Sequence, residues 1–155
     1  MINTTLCYIE KDGQYLMLHR TKKENDINHD KWIGIGGKFE ENESPEECVL
    51  REAAEETGLR LISPHYRGIV TFVSDKWQGE YMHLFTADKF EGELAECDEG
   101  ELEWIDKEKL KSLTLWEGDL IFLDLIDKNV PFFSLKLCYE GEDLTYAALN
   151  GERIR

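Results

Sequence analysis

The chain has 155 residues, with 33 Asp and Glu against 18 Lys and Arg, and a formal net charge of −15. That excess argues against a nucleic-acid polymer as partner, because its phosphates need Lys and Arg to neutralise them; a small anion stays possible where a bound cation inverts the local field. No apolar run nears the roughly 18 residues of a membrane span, and Cys7, Cys48, Cys97 and Cys138 form no Cys-x-x-Cys pair, so no membrane partner, reduced and mostly buried thiols, and a cytoplasmic location are expected.

In chain order, residues 3–9 and 14–20 read as strands joined by the hairpin signal Lys11-Asp12-Gly13. Residues 21–31 form a polar loop longer than a hairpin needs, a candidate rim for a binding site. A short glycine-interrupted strand over 32–38 leads to a helix from Pro45 to Thr57. Ser44, Pro45 and Glu47 supply its cap, first-turn proline and third-position glutamate, and Gly58 its stop. Strands follow at 66–74 and 80–87 around Asp75–Gly79, then at 101–105. A short helix is expected near 107–111 and a stronger one over 117–127, where Leu120, Ile121, Leu123 and Leu125 carry the apolar face. Residues 132–139 and 144–149 close a last hairpin across Glu140-Gly141-Glu142-Asp143. Strands with two helices fit an α+β layered fold. Without a long Pro/Ser/Gly-rich linker, residues 1–155 read as one domain.

The most informative stretch is 37–59, GKFEENESPEECVLREAAEETGL. It fits Gly-x5-Glu-x7-Arg-Glu-U-x-Glu-Glu-x-Gly-U, with U apolar, through Gly37, Glu43, Arg51, Glu52, Ala53, Glu55, Glu56, Gly58 and Leu59. Chance agreement at the single-residue positions is about 10⁻⁸ per start. Helical spacing puts Glu52, Glu55 and Glu56 on one side, and Gly36 and Gly37 are expected to turn the backbone sharply so that Glu43 returns to that side. Two carboxylates about 5 Å apart repel by roughly 3 kcal/mol at an effective dielectric near 20, and Arg51 alone cannot neutralise all of them. Oxygen-only donors of this kind favour a hard cation such as Mg²⁺.

This segment resembles the signature of the Nudix family, hydrolases of nucleoside diphosphates linked to another group. The likeness extends to Thr5 and Leu6, to Lys31-Trp32-Ile33-Gly34-Ile35-Gly36-Gly37-Lys38 and to Trp116-Glu117-Gly118-Asp119, and is to the MutT-type oxidised-purine nucleoside triphosphatases. It implies an α/β/α sandwich around a mixed sheet and hydrolysis dependent on Mg²⁺, or Mn²⁺. It further implies a small nucleotide as partner and a monomer or homodimer as the working form. By the same likeness Glu52, Glu55, Glu56 and the carbonyl region of Gly36 or Gly37 would hold the metal, with Arg51 orienting Glu43 or Glu55. Lys38 would meet a phosphate oxygen, and Glu56 or Glu99 would act as general base. Trp116 would stack on the base, Asp119 would bond its Watson–Crick edge, and Thr5, Leu6, Phe72 and Met82 would line the pocket. Ile33 stands where those relatives carry an asparagine, and Gly118 where they carry the first of two aspartates. The implied substrate is 8-oxo-dGTP or another oxidised purine nucleotide; the alternatives are dihydroneopterin triphosphate, unmodified nucleotides, ADP-ribose, or a nucleotide-sensing module without catalysis.

Overall fold

A computed structural model describes residues 1–155. The strands are β1 (Ile2–Lys11), β2 (Gln14–His19), β3 (Trp32–Ile33), β4 (Ile35–Lys38), β5 (Arg60–Leu61), β6 (His65–Ser74), β7 (Glu80–Ala87), β8 (Phe90–Glu91), β9 (Glu101–Asp106), β10 (Phe133–Glu140), β11 (Asp143–Leu149) and β12 (Glu152–Arg153). The helices are α1 (Pro45–Thr57) and α2 (Glu117–Asp127), with a 3₁₀ turn over Lys107–Ser112 where a short helix is expected. Three two-residue pieces escape the sequence reading: β5 and β8, which pair only with each other, and β12, which extends the last hairpin. Each is too short to show an alternating pattern.

Asp12 and Gly13 both take positive φ, 52° and 76°, the geometry of a two-residue hairpin turn that matches strand twist. Beyond the Glu10–Tyr15 register, β2 parts from β1 and pairs with β9 and β3. The middle of β1 sits between β7, in parallel, and β4, antiparallel with Thr5 opposite Gly37 and Leu6 opposite Gly36. The large sheet continues outward through β6, β10, β11 and β12. Parallel contacts β1·β7 and β10·β6 make it mixed.

Both faces of this sheet are covered. Tyr8, Val70, Phe72, Leu84 and Leu135 pack with Phe122 and Leu123 of α2, while Cys7, Ile9 and Phe85 pack with Val49 and Ala53 of α1. Alternate residues of β1 therefore serve opposite layers, which is why residues 7–9 are all fully buried. Leu84 is fully buried between strands and α2, so its truncation to alanine costs about 2–5 kcal/mol. This is the α/β/α layering expected from the family likeness. Cys7, Cys48 and Cys97 are free and buried and Cys138 is free and partly buried. No helix is long and apolar enough to cross a membrane.

Candidate active site

Helix α1 begins and ends as its sequence dictates. Ser44 Oγ accepts from the Glu47 N–H at 3.1 Å, Glu47 Oε1 accepts from the Ser44 N–H at 3.0 Å, and Gly58 stops the helix at φ 78°. Its inward face carries Cys48, Val49, Ala53 and Thr57, and one residue that does not belong in a core, Glu56. The helix lies on β4, where Gly36 and Gly37 are extended strand residues rather than the sharp turn expected of them. Their glycine identity is set by close approach. A Cβ on Gly37 would come 2.5 Å from Glu52 Cδ, and one on Gly36 would collide with the Thr5 carbonyl. The chain turns later, at Asn42 with φ 68°.

Arg51 sits at the centre of the acidic cluster. Its Nε and Nη2 donate to the two oxygens of Glu43 at 2.7 and 2.8 Å, a bidentate clamp. Nη1 donates to Glu52 at 2.8 Å and to Glu55 at 3.2 Å, and Nη2 also reaches the Lys38 carbonyl at 3.0 Å. The guanidinium beside Glu43 holds that carboxyl down at about 2. Glu52 is pushed up instead, by burial first, with Arg51 pulling the other way. Glu55 keeps a side chain 58% exposed and turns to Arg51, so it does not line the cavity below.

Glu56 is only 7% exposed. Its Oε1 accepts from the Gly36 N–H at 3.0 Å, while Oε2 is buried without a partner. Burial, then the charges of Glu99 and Glu52, raise its pKa to about 8. A buried carboxylate oxygen left unpaired is costly, and a hard divalent cation would satisfy it. The donors within reach are all oxygen: Glu52, Glu56 and the strand carbonyls at Gly36 and Gly37, which fits Mg²⁺ or Mn²⁺. No three carboxylates converge on one point in this arrangement, because Glu52 and Glu55 are drawn onto Arg51.

A cavity of about 760 Å³ opens from this cluster. Thr5, Ile33, Gly37, Lys38, Glu52 and Glu99 line it, as do Trp116 and Asp119, so one space joins α1 and β4 to the start of α2. Leu6, Phe72 and Met82 add apolar wall. Thr5 borders the cavity, but its hydroxyl turns to α1, 3.4 Å from Cys48 Sγ. Trp116 is both core and lining: its ring meets Tyr139 and Phe72 edge-on at 4.9 and 5.8 Å between centroids, and Lys31 Nζ lies 4.6 Å from the ring centroid. Asp119, 6% exposed, makes no cap bond to the helix it begins. Burial pushes its carboxyl up to about 8, against the pull of Lys31, so it is neutral at pH 7 and can both donate and accept. Gly118 has no room for a side chain: a Cβ would lie 2.5 Å from Leu137 Cδ1 and 2.6 Å from the Tyr139 hydroxyl.

The polar loop 21–31 and Arg20 just before it supply residues to which sequence reasoning assigned no role in the site. Arg20 donates to Glu99 at 2.5 Å and to Asp26 at 2.7 Å, which fastens the loop to the acidic bend carrying Glu99. Asn28 accepts at 2.7 Å from the Trp116 indole N–H. Lys31 pairs with Glu142 in the β10–β11 turn. Nothing in spacing marks the bonds to Glu99, Trp116 and Glu142, since those partners lie 79 to 111 positions away.

Comparison with known proteins agrees with this geometry. The NUDIX domain model matches residues 2–126. A Nudix hydrolase of Bacillus subtilis is 33% identical over 130 residues, 81% of this chain and 78% of its own length. The oxidized purine nucleoside triphosphate hydrolase of Danio rerio is 31% identical over 144 residues, 90% of this chain and 88% of its own. The crystal structure of a MutT protein from Bacillus halodurans superposes with a TM-score of 0.86 at 26% identity, covering 98% of this chain and 99% of that one. A glutamate-bearing helix clamped by one arginine over a glycine strand, and a match running through most of the chain, give one conclusion: this protein belongs to the Nudix family and is a pyrophosphohydrolase of that family, similar to the MutT type.

Proposed function

We propose that this Nudix hydrolase acts, as a single domain over residues 1–155, on oxidised purine nucleoside triphosphates, foremost 8-oxo-dGTP. It releases the nucleoside monophosphate and pyrophosphate in a reaction that needs Mg²⁺. The observation that carries the reading is the one cavity lined both by Asp119 and Trp116 and by Glu52, Gly37 and Lys38. Apolar walls with a few placed polar groups are what a base pocket requires. The Danio rerio relative, an oxidized purine nucleoside triphosphate hydrolase, supports the same substrate class.

In this reading Glu52, Glu56 and the Gly37 carbonyl hold Mg²⁺, or Mn²⁺, and Glu55 can join them on leaving Arg51. The bound cation supplies Lewis acidity and neutralises polyphosphate charge. Arg51 keeps Glu43 ionised and fixes where Glu52 stands. Lys38 offers its ammonium to a phosphate oxygen. Water attacks the β-phosphorus while the Glu99 carboxylate, or Glu56 where it does not hold the metal, takes its proton, and the bond from that phosphorus to the oxygen bridging to the α-phosphate breaks. Arg20, 2.5 Å from Glu99, sets the position of that carboxylate. On the base side Trp116 offers ring surface, Thr5 and Ile33 close the walls, and neutral Asp119 presents an O–H donor and a C=O acceptor to the Watson–Crick edge.

The test is pyrophosphate release with Mg²⁺, comparing kcat/KM for 8-oxo-dGTP, dGTP, dATP and ADP-ribose. A preference for 8-oxo-dGTP of about 100-fold, equal to about 2.7 kcal/mol of differential transition-state binding, supports the reading. Equal rates on all four substrates would leave the hydrolase standing and overturn the substrate.

A further inference from the structure

Asn28 lines the cavity from the polar loop and makes an unusual use of its carboxamide. The Trp116 indole nitrogen can only donate, so the Asn28 atom 2.7 Å from it must be the amide oxygen, which fixes the orientation of the group. Its NH₂ then faces away from the indole, and no protein acceptor receives it. The residue does not swing freely. Its backbone N–H donates to Asp26 Oδ1 at 3.2 Å, its carbonyl accepts from the Lys31 N–H at 2.9 Å, and Asp26 is itself held by Arg20 at 2.7 Å. Around it Ile27, Ile33, Leu6 and Met82 give the cavity apolar surface. Polar groups that share the lining with Trp116 include the Asp119 carboxyl, the Asn28 amide, Asn25, Thr5 and the Tyr139 hydroxyl, which already accepts from the Gly118 N–H at 2.8 Å.

We propose that Asn28 is a specificity-determining residue whose free NH₂ donates to an acceptor on the edge of the bound base, selecting 6-oxopurine over 6-aminopurine nucleotides. This deepens, and rests on, the purine reading above. With its oxygen turned to Trp116, the group that the side chain presents away from the indole is the NH₂ donor. A ring nitrogen or carbonyl oxygen placed against it is paired, whereas an exocyclic amino group faces N–H with N–H and leaves both unsatisfied. A site built around a hydrogen bond rejects the analogue that lacks the partner far more strongly than an apolar wall can. The indole bond does a second thing: it holds donor and ring in fixed relation, so that stacking on Trp116 sets the base edge against Asn28.

Asn28→Asp is the discriminating variant, because its carboxylate still accepts from Trp116 but has lost the donor. Asn28→Ala removes both and sits on a solvent-bordered loop, which keeps a second folded variant available. Each is measured for kcat/KM on 8-oxo-dGTP, dGTP, 8-oxo-dATP and dATP. Binding of dGMP and dAMP is measured by calorimetry without metal. The wild type is expected to prefer the 6-oxo member of each pair, and Asn28→Asp to lower that ratio by about 10²-fold, mainly through the 6-oxo substrates, with dGMP affinity falling alongside. A ratio within about two-fold of wild type in both variants, with purine triphosphates still hydrolysed, overturns the Asn28 assignment and leaves the proposed function intact. A wild type that turns over no purine triphosphate overturns both.

Discussion

The Glu56 carboxyl is a buried acid with one unpartnered oxygen, and replacing it by glutamine should make the metal-free protein more stable while disabling it. In the folded chain its pKa rises from 4.5 to about 8, by burial and by the charges of Glu99 and Glu52. The folded state therefore holds a proton that the unfolded state has given up, so this contribution is full below pH 4.5, shrinks as pH rises, and is gone above about 8. At 1.36 kcal/mol per pH unit the effect is capped near ~5 kcal/mol. Local relaxation and the unpartnered amide of the new side chain bring the expected gain to about 2–3 kcal/mol at pH 8. Glutamine keeps the acceptor for the Gly36 N–H, which isolates the charge as the cause. Urea unfolding in EDTA, followed by tryptophan fluorescence at pH 4.5, 6, 7 and 8, measures it. The two proteins should converge at pH 4.5 and separate upward. A difference that does not change with pH, or a wild type more stable than the variant at pH 8, would refute the reasoning. Activity of Glu56→Gln with Mg²⁺ should fall by about 10²-fold or more.

Three further outcomes are expected. Mg²⁺ at about 100 times its Kd should stabilise the wild type by about 2.7 kcal/mol, a rise of roughly 5–10 °C in Tm, and Glu56→Gln should lose most of that rise in a thermal scan. Gly37→Ala places a Cβ 2.5 Å from the Glu52 carboxyl; steady-state assays should show kcat down at least about 10-fold, as expected when a positioned group is displaced, while far-UV circular dichroism stays that of the wild type. Asp119 is neutral below about pH 8 and loses its donor as it ionises above that, so the kcat/KM ratio of Asp119→Asn to wild type should climb from pH 7 to 9; a level ratio would show that the carboxyl is not read as a donor.

Helix α1 was legible because everything that makes it is local. Ser44, Pro45, Glu47 and Gly58 mark its ends within one turn of themselves, and the 3–4 residue spacing of its glutamates is a property of the helix alone. Hairpin turns such as Asp12-Gly13 were legible for the same reason. The sheet order was not. Parallel pairing of β1 with β7 joins residues 78 positions apart through backbone bonds that any sequence can make.

The site divides along the same line. Sequence determined that carboxylates gather around Arg51, because Glu43, Glu52 and Glu55 stand at distances a single helix and its leading loop can close. It could not decide that Gly36 and Gly37 serve close packing rather than a turn, which depends on how near α1 and β1 approach β4. Nor could it decide that Glu56 is buried with a raised pKa while Glu55 is exposed, since one step of about 100° around the helix separates core from solvent. Asp119 acquires its raised pKa, and Asn28 its bond to Trp116, only when a loop and a helix 88 positions apart close on one cavity. Burial and long-range pairing are properties of the packed chain, and there the tertiary structure alone decided.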